Sequence, residues 1–356
     1  MPLDNKNEPI KITLDDLASV DLDSVSTTPG SSSALEGGAK VYGSVSAAAE
    51  QTAPPIAEEK GTILLQAWFY LGLAGLVGAL AGWGLCEHWI HDGAPGEAWH
   101  GLLLIAAVVT LQCVGYGVAE SIVERSAKKG LLRGGLAIPL GLVFGFVISF
   151  IANIVFFITT GIVASLGVQT WKNPAFWIAR GVAWMVLGVA AGGVYGIVGM
   201  SSKKAMYGIL GGVIGAGVGG MLFDPIVMMT KGGAPSRAVG FGLLGMATGI
   251  AMGLVESALK DRWFYVTAGP LAGKQFILYK PRTVIGSDQK SDIYLFKDAN
   301  IQPQHAFVEI AGARVQLRAV GPLFVSGSPA RLHVLQSGNI VQIGRYTFRY
   351  QEKQRR

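Results

Sequence analysis

The sequence predicts a multidomain membrane protein: a disordered polar N-terminal tail, an α-helical transmembrane bundle of about six helices, and a C-terminal all-β sandwich. Three observations carry this. Charged residues make up only 15% of the 356-residue chain, against roughly 25% in an average soluble domain. Glycine occurs 50 times without the every-third-residue period of collagen. The charges crowd into residues 1–60 and 258–356 and nearly vanish between.

Residues 1–60 are rich in Ser, Thr, Ala, Asp and Glu. Such a segment buries too little apolar surface to offset its ordering entropy, so it is expected to be disordered. Ile10-Lys-Ile-Thr-Leu14 is its one short candidate recognition element. The acidic start has no basic-then-apolar pattern of a secretory signal, so the first apolar helix is expected to act as the insertion signal.

Residues 61–258 read as the glycine-rich bundle. With the ~20-residue criterion for crossing a hydrocarbon core, spans fall near 62–86, 101–121, 134–163, 174–200, 205–223 and 236–257. The third run is too long for one simple span. It is one tilted helix, a helix broken near Pro139, or a helix plus a re-entrant piece. Arg125, Lys128, Lys129 and Arg133 follow the second span, and Lys203 and Lys204 follow the fourth. Lys260 and Arg262 follow the sixth. The positive-inside rule therefore puts both termini in the cytoplasm, although Lys172, Arg180, Lys231 and Arg237 fall on the other side.

An internal repeat is visible. Gly115 to Ser121 leads to Ser126-Ala-Lys-Lys129, Gly193 to Gly199 leads to Ser201-Ser-Lys-Lys204, and Gly249 to Ser257 leads to Leu259-Lys-Asp-Arg262. All copies face the same way. Glycines also recur at four-residue spacing, which returns to one helix face. Gly188, Gly192 and Gly196 form one row, Gly211, Gly215 and Gly219 a second, and Gly245, Gly249 and Gly253 a third. Each row is a groove for a close helix backbone, since packing rather than hydrophobicity holds helices together in lipid. The rows serve packing within one chain, homo-oligomerisation or a glycine-lined pore. Glu87, Glu120, Asp224 and Glu256 sit at span ends, where water is expected to reach them, and Arg180 and Arg237 are expected to snorkel to the interface.

From about Trp263 the pattern changes to period two, and residues 262–356 are assigned to the β-domain. Phe276–Tyr279, Thr283–Ile285, Asp292–Phe296, Ala306–Ile310, Val315–Leu317, Leu323–Val325, Ile340–Ile343 and Tyr346–Tyr350 read as strands punctuated by Gly, Pro, Asn and Asp. That density of short strands predicts a β-sandwich.

Within it, Gly269…Gly273-Lys-Gln-Phe-Ile-Leu278, Val284-Ile-Gly286, Ser291-Asp-Ile-Tyr-Leu295, His305-Ala-Phe-Val308, Phe324-Val-Ser-Gly327 and Leu335 to Gly344 occur in order. In this order and spacing, residues 264–351 resemble a forkhead-associated (FHA) domain. The resemblance implies phosphothreonine-peptide binding by loops at one end of the sandwich. That chemistry needs a cation and donors against a charge near −2. This sequence departs from the family there. Ser287 stands where the family has Arg, Gln302 where it has Ser, and the loop at Gly321-Pro322 lacks its Asn-Gly. The scaffold residues Gly286, Asp292, His305 and Gly344 remain. The candidate peptide-binding residues are therefore Ser287, Lys290, Lys297, Gln302, His305 and Ser326, with Lys290 and Lys297 as replacement cations and His305 as a brace. Thr13, three residues before Asp16, is a candidate phosphothreonine of the chain itself.

No nucleophile–base pair, phosphate loop or metal cluster stands out, so no enzyme activity, cofactor or metal is expected. His88, His91 and His100 lack a regular ligand spacing and read as a solvated loop. Cys86 and Cys113 read as small apolar packing residues. The basic residues follow membrane topology, so no nucleic-acid partner is expected. The expected function is a membrane-anchored protein-interaction, scaffold or signalling module of a bacterial inner membrane, multi-pass in the lipid bilayer. Its degenerate FHA-like domain would meet a cytoplasmic protein partner, phosphorylated or not. The alternative is a channel or transporter regulated by that domain.

Overall fold

The computed structural model describes residues 62–90, 97–168, 170–230 and 232–353. The expected disorder of 1–60, the Ile10–Leu14 element, Thr13 and His91 lie outside these residues.

Six helices are long and apolar enough to cross a membrane. They are α1 (Ala67–Cys86), α2 (Glu97–Val123), α3 (Ala127–Ser165), α4 (Pro174–Val198), α5 (Ser202–Thr230) and α6 (Gly233–Leu259). Each packs on its sequence neighbours, α1 also packs on α6, and α2 crosses to α4, so the helices close into a ring. The long third run is one unbroken helix with Pro139 inside it. At 1.5 Å per residue its 39 residues span about 58 Å, well beyond a single hydrocarbon core. It is also the most outward-facing helix, with Leu142, Val143 and Phe157 more than half exposed.

Two of the turns share one backbone construction. After α2, Arg125 takes the left-handed conformation (φ 53°), and after α4, Met200 does the same (φ 52°). In the first turn the Ser126 and Arg125 amides donate to the Ser121 and Ile122 carbonyls. In the second the Ser201 and Met200 amides donate to Gly196 and Ile197. Both are Schellman motifs, which satisfy the last carbonyls of a helix. In both, the serine that closes one helix caps the next: Ser126 Oγ accepts from the Lys129 amide and Ser201 Oγ from the Lys204 amide.

The three glycine rows face neighbouring helix backbone. A Cβ at Gly188 or Gly192 would lie 2.1 Å from the Gly212 or Gly208 carbonyl oxygen of α5, and one at Gly196 would lie 2.0 Å from Ala205 Cα. Gly211, Gly215 and Gly219 abut Met252, Ala247 and Leu244 of α6. Gly245, Gly249 and Gly253 abut Gly75, Leu71 and Trp68 of α1. Each row thus brings two backbones to a distance that any side chain would block.

The β-domain consists of two facing sheets. One has the order β2-β1-β11-β10-β7-β8, the other β4-β3-β5-β6-β9. The strands are β1 (Arg262–Ala268), β2 (Gln275–Ile277), β3 (Arg282–Gly286), β4 (Ile293–Tyr294), β5 (Ala306–Ala311) and β6 (Arg314–Ala319), followed by β7 (Phe324–Val325), β8 (Ser328–Pro329), β9 (Leu332–Val334), β10 (Ile340–Ile343) and β11 (Tyr346–Glu352). All pairings are antiparallel except β3 with β4. Phe264, Val266, Ile285, Leu295, Val308, Leu317, Val341, Ile343 and Phe348 fill the space between the sheets. The eight expected strands are present, with shifted ends. Three elements were not expected as strands: β1, a nearly continuous apolar run, and β8 and β9, whose two and three residues are too few to show a period.

Candidate functional site: the loop end of the sandwich and its junction with the bundle

The turns around β3, β4 and β5 are organised by His305, which is buried. Its Nδ1 accepts from the Gln302 amide at 3.1 Å and its Nε2 lies 2.8 Å from the Pro322 carbonyl oxygen. That pair of partners fixes the Nε2-protonated tautomer. Gly321 lies under the ring, where a Cβ would come within 2.3 Å of it.

Ser287 and Gln302 sit beside one another, because the Ser287 amide donates to the Gln302 carbonyl at 2.9 Å. The Ser287 hydroxyl donates to the Ile301 carbonyl at 2.7 Å. Both donors of Ser287 are therefore used inside the fold. Gln302, Lys290 and Lys297 are exposed, and Lys297 takes a left-handed φ of 62°. Ser326 lies in the β7–β8 hairpin and its amide donates to Ile340. Among the described residues no hydrogen bond joins it to the loops that carry Ser287, Gln302 and His305.

The same β3–β4 loop touches the bundle. Ser126 Oγ donates to the Gln289 carbonyl at 3.2 Å, and Gln289 Oε1 accepts from the Lys128 amide at 3.2 Å. The Arg125 guanidinium stacks 5.7 Å from the Phe296 ring centre. Behind these contacts is a buried ion cluster. Glu124 accepts from Lys129 at 2.9 Å and from Lys274 of the β-domain at 2.8 Å. The Glu124 and Lys274 side chains are each 2% exposed, and Lys129 also reaches the Asp292 carbonyl. Two cations around one carboxylate offset much of the desolvation that burial imposes on each.

A second cluster adjoins it. One oxygen of Glu120 is 2.7 Å from both Arg133 and Lys204. Lys204 also lies over the Tyr195 ring at 4.3 Å. Glu256 accepts from the Tyr195 and Tyr279 hydroxyls. Burial first, then the charge of Glu256, holds the Tyr279 phenol well above its usual range. Tyr70, Glu120, Arg133, Lys204, Glu256 and Tyr279 line a cavity of about 110 Å³ between helices and sandwich.

Glu256 is therefore not a wetted span end: it is 5% exposed beneath Tyr279 of the β-domain, whereas the Glu120 side chain keeps 19% exposure. The far end of the bundle likewise differs from the expectation of snorkelling side chains. Arg180 donates to both Asp224 oxygens at 2.9 Å while lying over Phe156 and Phe223. Arg237 pairs with Glu87 at 2.6 Å. Lys274 was missed in the sequence because its period-two strand context marks it as an ordinary surface residue.

Comparison with known proteins bears on the β-domain alone. Residues 265–354 match the family model Yop-YscD_cpl, described as "Inner membrane component of T3SS, cytoplasmic domain". An oxoglutarate dehydrogenase inhibitor of Corynebacterium efficiens is 36% identical over 84 residues, which are 23% of this chain and 58% of that protein. The glycogen accumulation regulator GarA of Mycolicibacterium smegmatis is 37% identical over 84 residues, 23% of this chain and 52% of that protein. The chain thus spans just over half the length of the curated relatives it matches. Among solved structures, the FHA domain of the CT664 protein from Chlamydia trachomatis is 25% identical, with TM-score 0.25, covering 27% of this chain and 100% of that one. The cytoplasmic domain of the T3SS sorting platform protein PscD from P. aeruginosa is 23% identical, with TM-score 0.24, covering 27% and 83%. The C-terminal domain is FHA-like and follows six apolar helices.

Proposed function

We propose that this protein is a multi-pass inner-membrane anchor that holds an FHA-like domain at the cytoplasmic face as a protein-recruiting module. The basic residues near the sandwich, Arg125, Lys128, Lys203 and Lys260, support the cytoplasmic orientation under the positive-inside rule. The matched family of inner-membrane secretion components supports the same arrangement and a non-enzymatic role.

Recruitment does not run through a phosphothreonine pocket. The observation that carries this is Ser287, whose hydroxyl and amide are both engaged inside the fold. A charge-assisted hydrogen bond contributes about 1.5–3 kcal/mol, so a site without its cation loses most of its preference for phosphate. The full chain in nanodiscs is expected to bind phosphothreonine and unphosphorylated peptide libraries equally. Phosphate-dependent binding at micromolar concentration would overturn this and assign Lys290 and Lys297 as the cations. Proteoliposomes are expected to be silent to ion flux. Flux would favour the alternative, a channel or transporter regulated by the β-domain.

A further inference from the structure

The two sheets of the β-domain have unequal edges. The β4 edge adjoins the junction, since Lys129 of α3 reaches the Asp292 carbonyl just before that strand. The other edge of the same sheet is β9, and among the described residues no strand pairs with its outer side.

The backbone phase of β9 follows from its bonds to β6. The Ala319 amide donates to Arg331, the Leu335 amide donates to Val315, and His333 stands opposite Leu317. Residues 331, 333 and 335 therefore turn their polar groups inward, so the amides and carbonyls of Leu332 and Val334 point away from the sheet. Their side chains are apolar and 60% and 43% exposed, and Val320 nearby is 57% exposed. An exposed apolar edge of this kind is a template for one more strand.

Arg331 precedes the strand, Arg318 stands opposite Leu332, and Arg314 lies further along β6 on the same face as Arg318. All three are exposed, and none has an ion pair among the described residues. The nearest acid on that face, Glu309, already faces Arg282 at 3.8 Å.

We infer that β9 is the recruiting surface. It adds a short extended segment of a partner protein, with acidic residues alternating with apolar ones, as a sixth strand of the β4-β3-β5-β6-β9 sheet. Outward amides and carbonyls supply the pairing, Leu332 and Val334 the apolar contact, and the three arginines the preference for acidic residues. The inference rests on the proposed recruiting role and names its surface.

The test uses the full chain in nanodiscs and two fluorescein-labelled nine-residue peptides. One alternates Val or Ile with Asp or Glu, and its twin carries Lys in place of the acids. The acidic peptide is expected to bind at micromolar concentration and at least ~10-fold more tightly than the twin, with the preference shrinking as salt rises. Binding is expected to slow amide exchange at Leu332 and Val334. Leu332→Pro, which removes an outward amide that an edge position can spare, is expected to abolish binding. Arg318→Glu is expected to weaken it ~10-fold. No binding, equal binding of the twin, or undiminished binding by the Leu332→Pro protein would overturn the inference. So would concentration-dependent dimerisation lost in that same variant, which would make the edge a self-pairing surface. Capture of a cytoplasmic partner that survives Leu332→Pro would leave the recruiting role standing while removing β9 from it. Loss of every partner together with intact peptide binding would do the reverse.

Discussion

The two ends of the helix ring both carry arginine, lysine and carboxylate, but they use them differently. At the far end the charges form separate pairs, Arg180 with Asp224 and Arg237 with Glu87, each joining two helices. At the near end Glu120, Glu124 and Glu256 sit within linked clusters that include Lys274 and Tyr279 of the sandwich. The far-end side chains are 13–20% exposed, as are Glu120 and Arg133 at 18–19%, whereas Glu124 and Lys274 at the core of the near end are 2% exposed. Partly wetted pairs hold helices in register. The buried cluster ties the β-domain to the helix ring and so sets where its loops and edges point.

The comparison can be broken most severely by ignoring both ends and separating the helices. Gly192→Leu forces the α4 and α5 backbones apart and is expected to prevent accumulation of folded protein. Gly193→Ala, with open space at its Cβ, is expected to be silent. Fluorescence-detected size exclusion of the two variants checks this. Next comes Glu124→Gln, which leaves Lys129 and Lys274 buried without a counter-charge and is expected to cost about 3–5 kcal/mol in denaturant unfolding. Adding Lys274→Met is expected to recover part of that loss, because it removes one of the stranded cations. Asp224→Asn at the far end is expected to cost clearly less than Glu124→Gln, since Arg180 keeps its aromatic neighbours and some water. Equal costs would erase the distinction between the ends. Smallest is Tyr279→Phe, which deletes one hydrogen bond to Glu256 and is expected to cost about 0.5–1.5 kcal/mol in the same assay.

Much of the architecture was legible in the chain. Hydropathy sufficed for six helices because each is long and nearly free of charge, and the four-residue glycine spacing marked the faces that meet backbone. What the rows meet was not legible, since Gly188 with Gly212 or Gly249 with Leu71 are pairings across the ring. Glu256 reads as wetted because its sequence neighbours end a span. The cover comes from Tyr279 and the sandwich, and no local pattern encodes it. Lys274, 150 residues from Glu124, fails for the same reason. β1 escaped because Trp263-Phe264-Tyr265-Val266 is apolar at every position and so shows no alternation. Ser287, by contrast, was singled out from the chain by resemblance alone. The structure adds that its hydroxyl is bound to Ile301 rather than free to receive a ligand.

The central claim is that the Glu124 cluster fixes the sandwich on the bundle. It is tested most directly by a spin-label distance between Gln304→Cys on the β-domain and Met206→Cys on α5, both exposed positions, in nanodiscs. One narrow distance distribution is expected, broadening when Glu124→Gln is added. A broad distribution before any change to Glu124, or a narrow one untouched by its loss, would contradict the account.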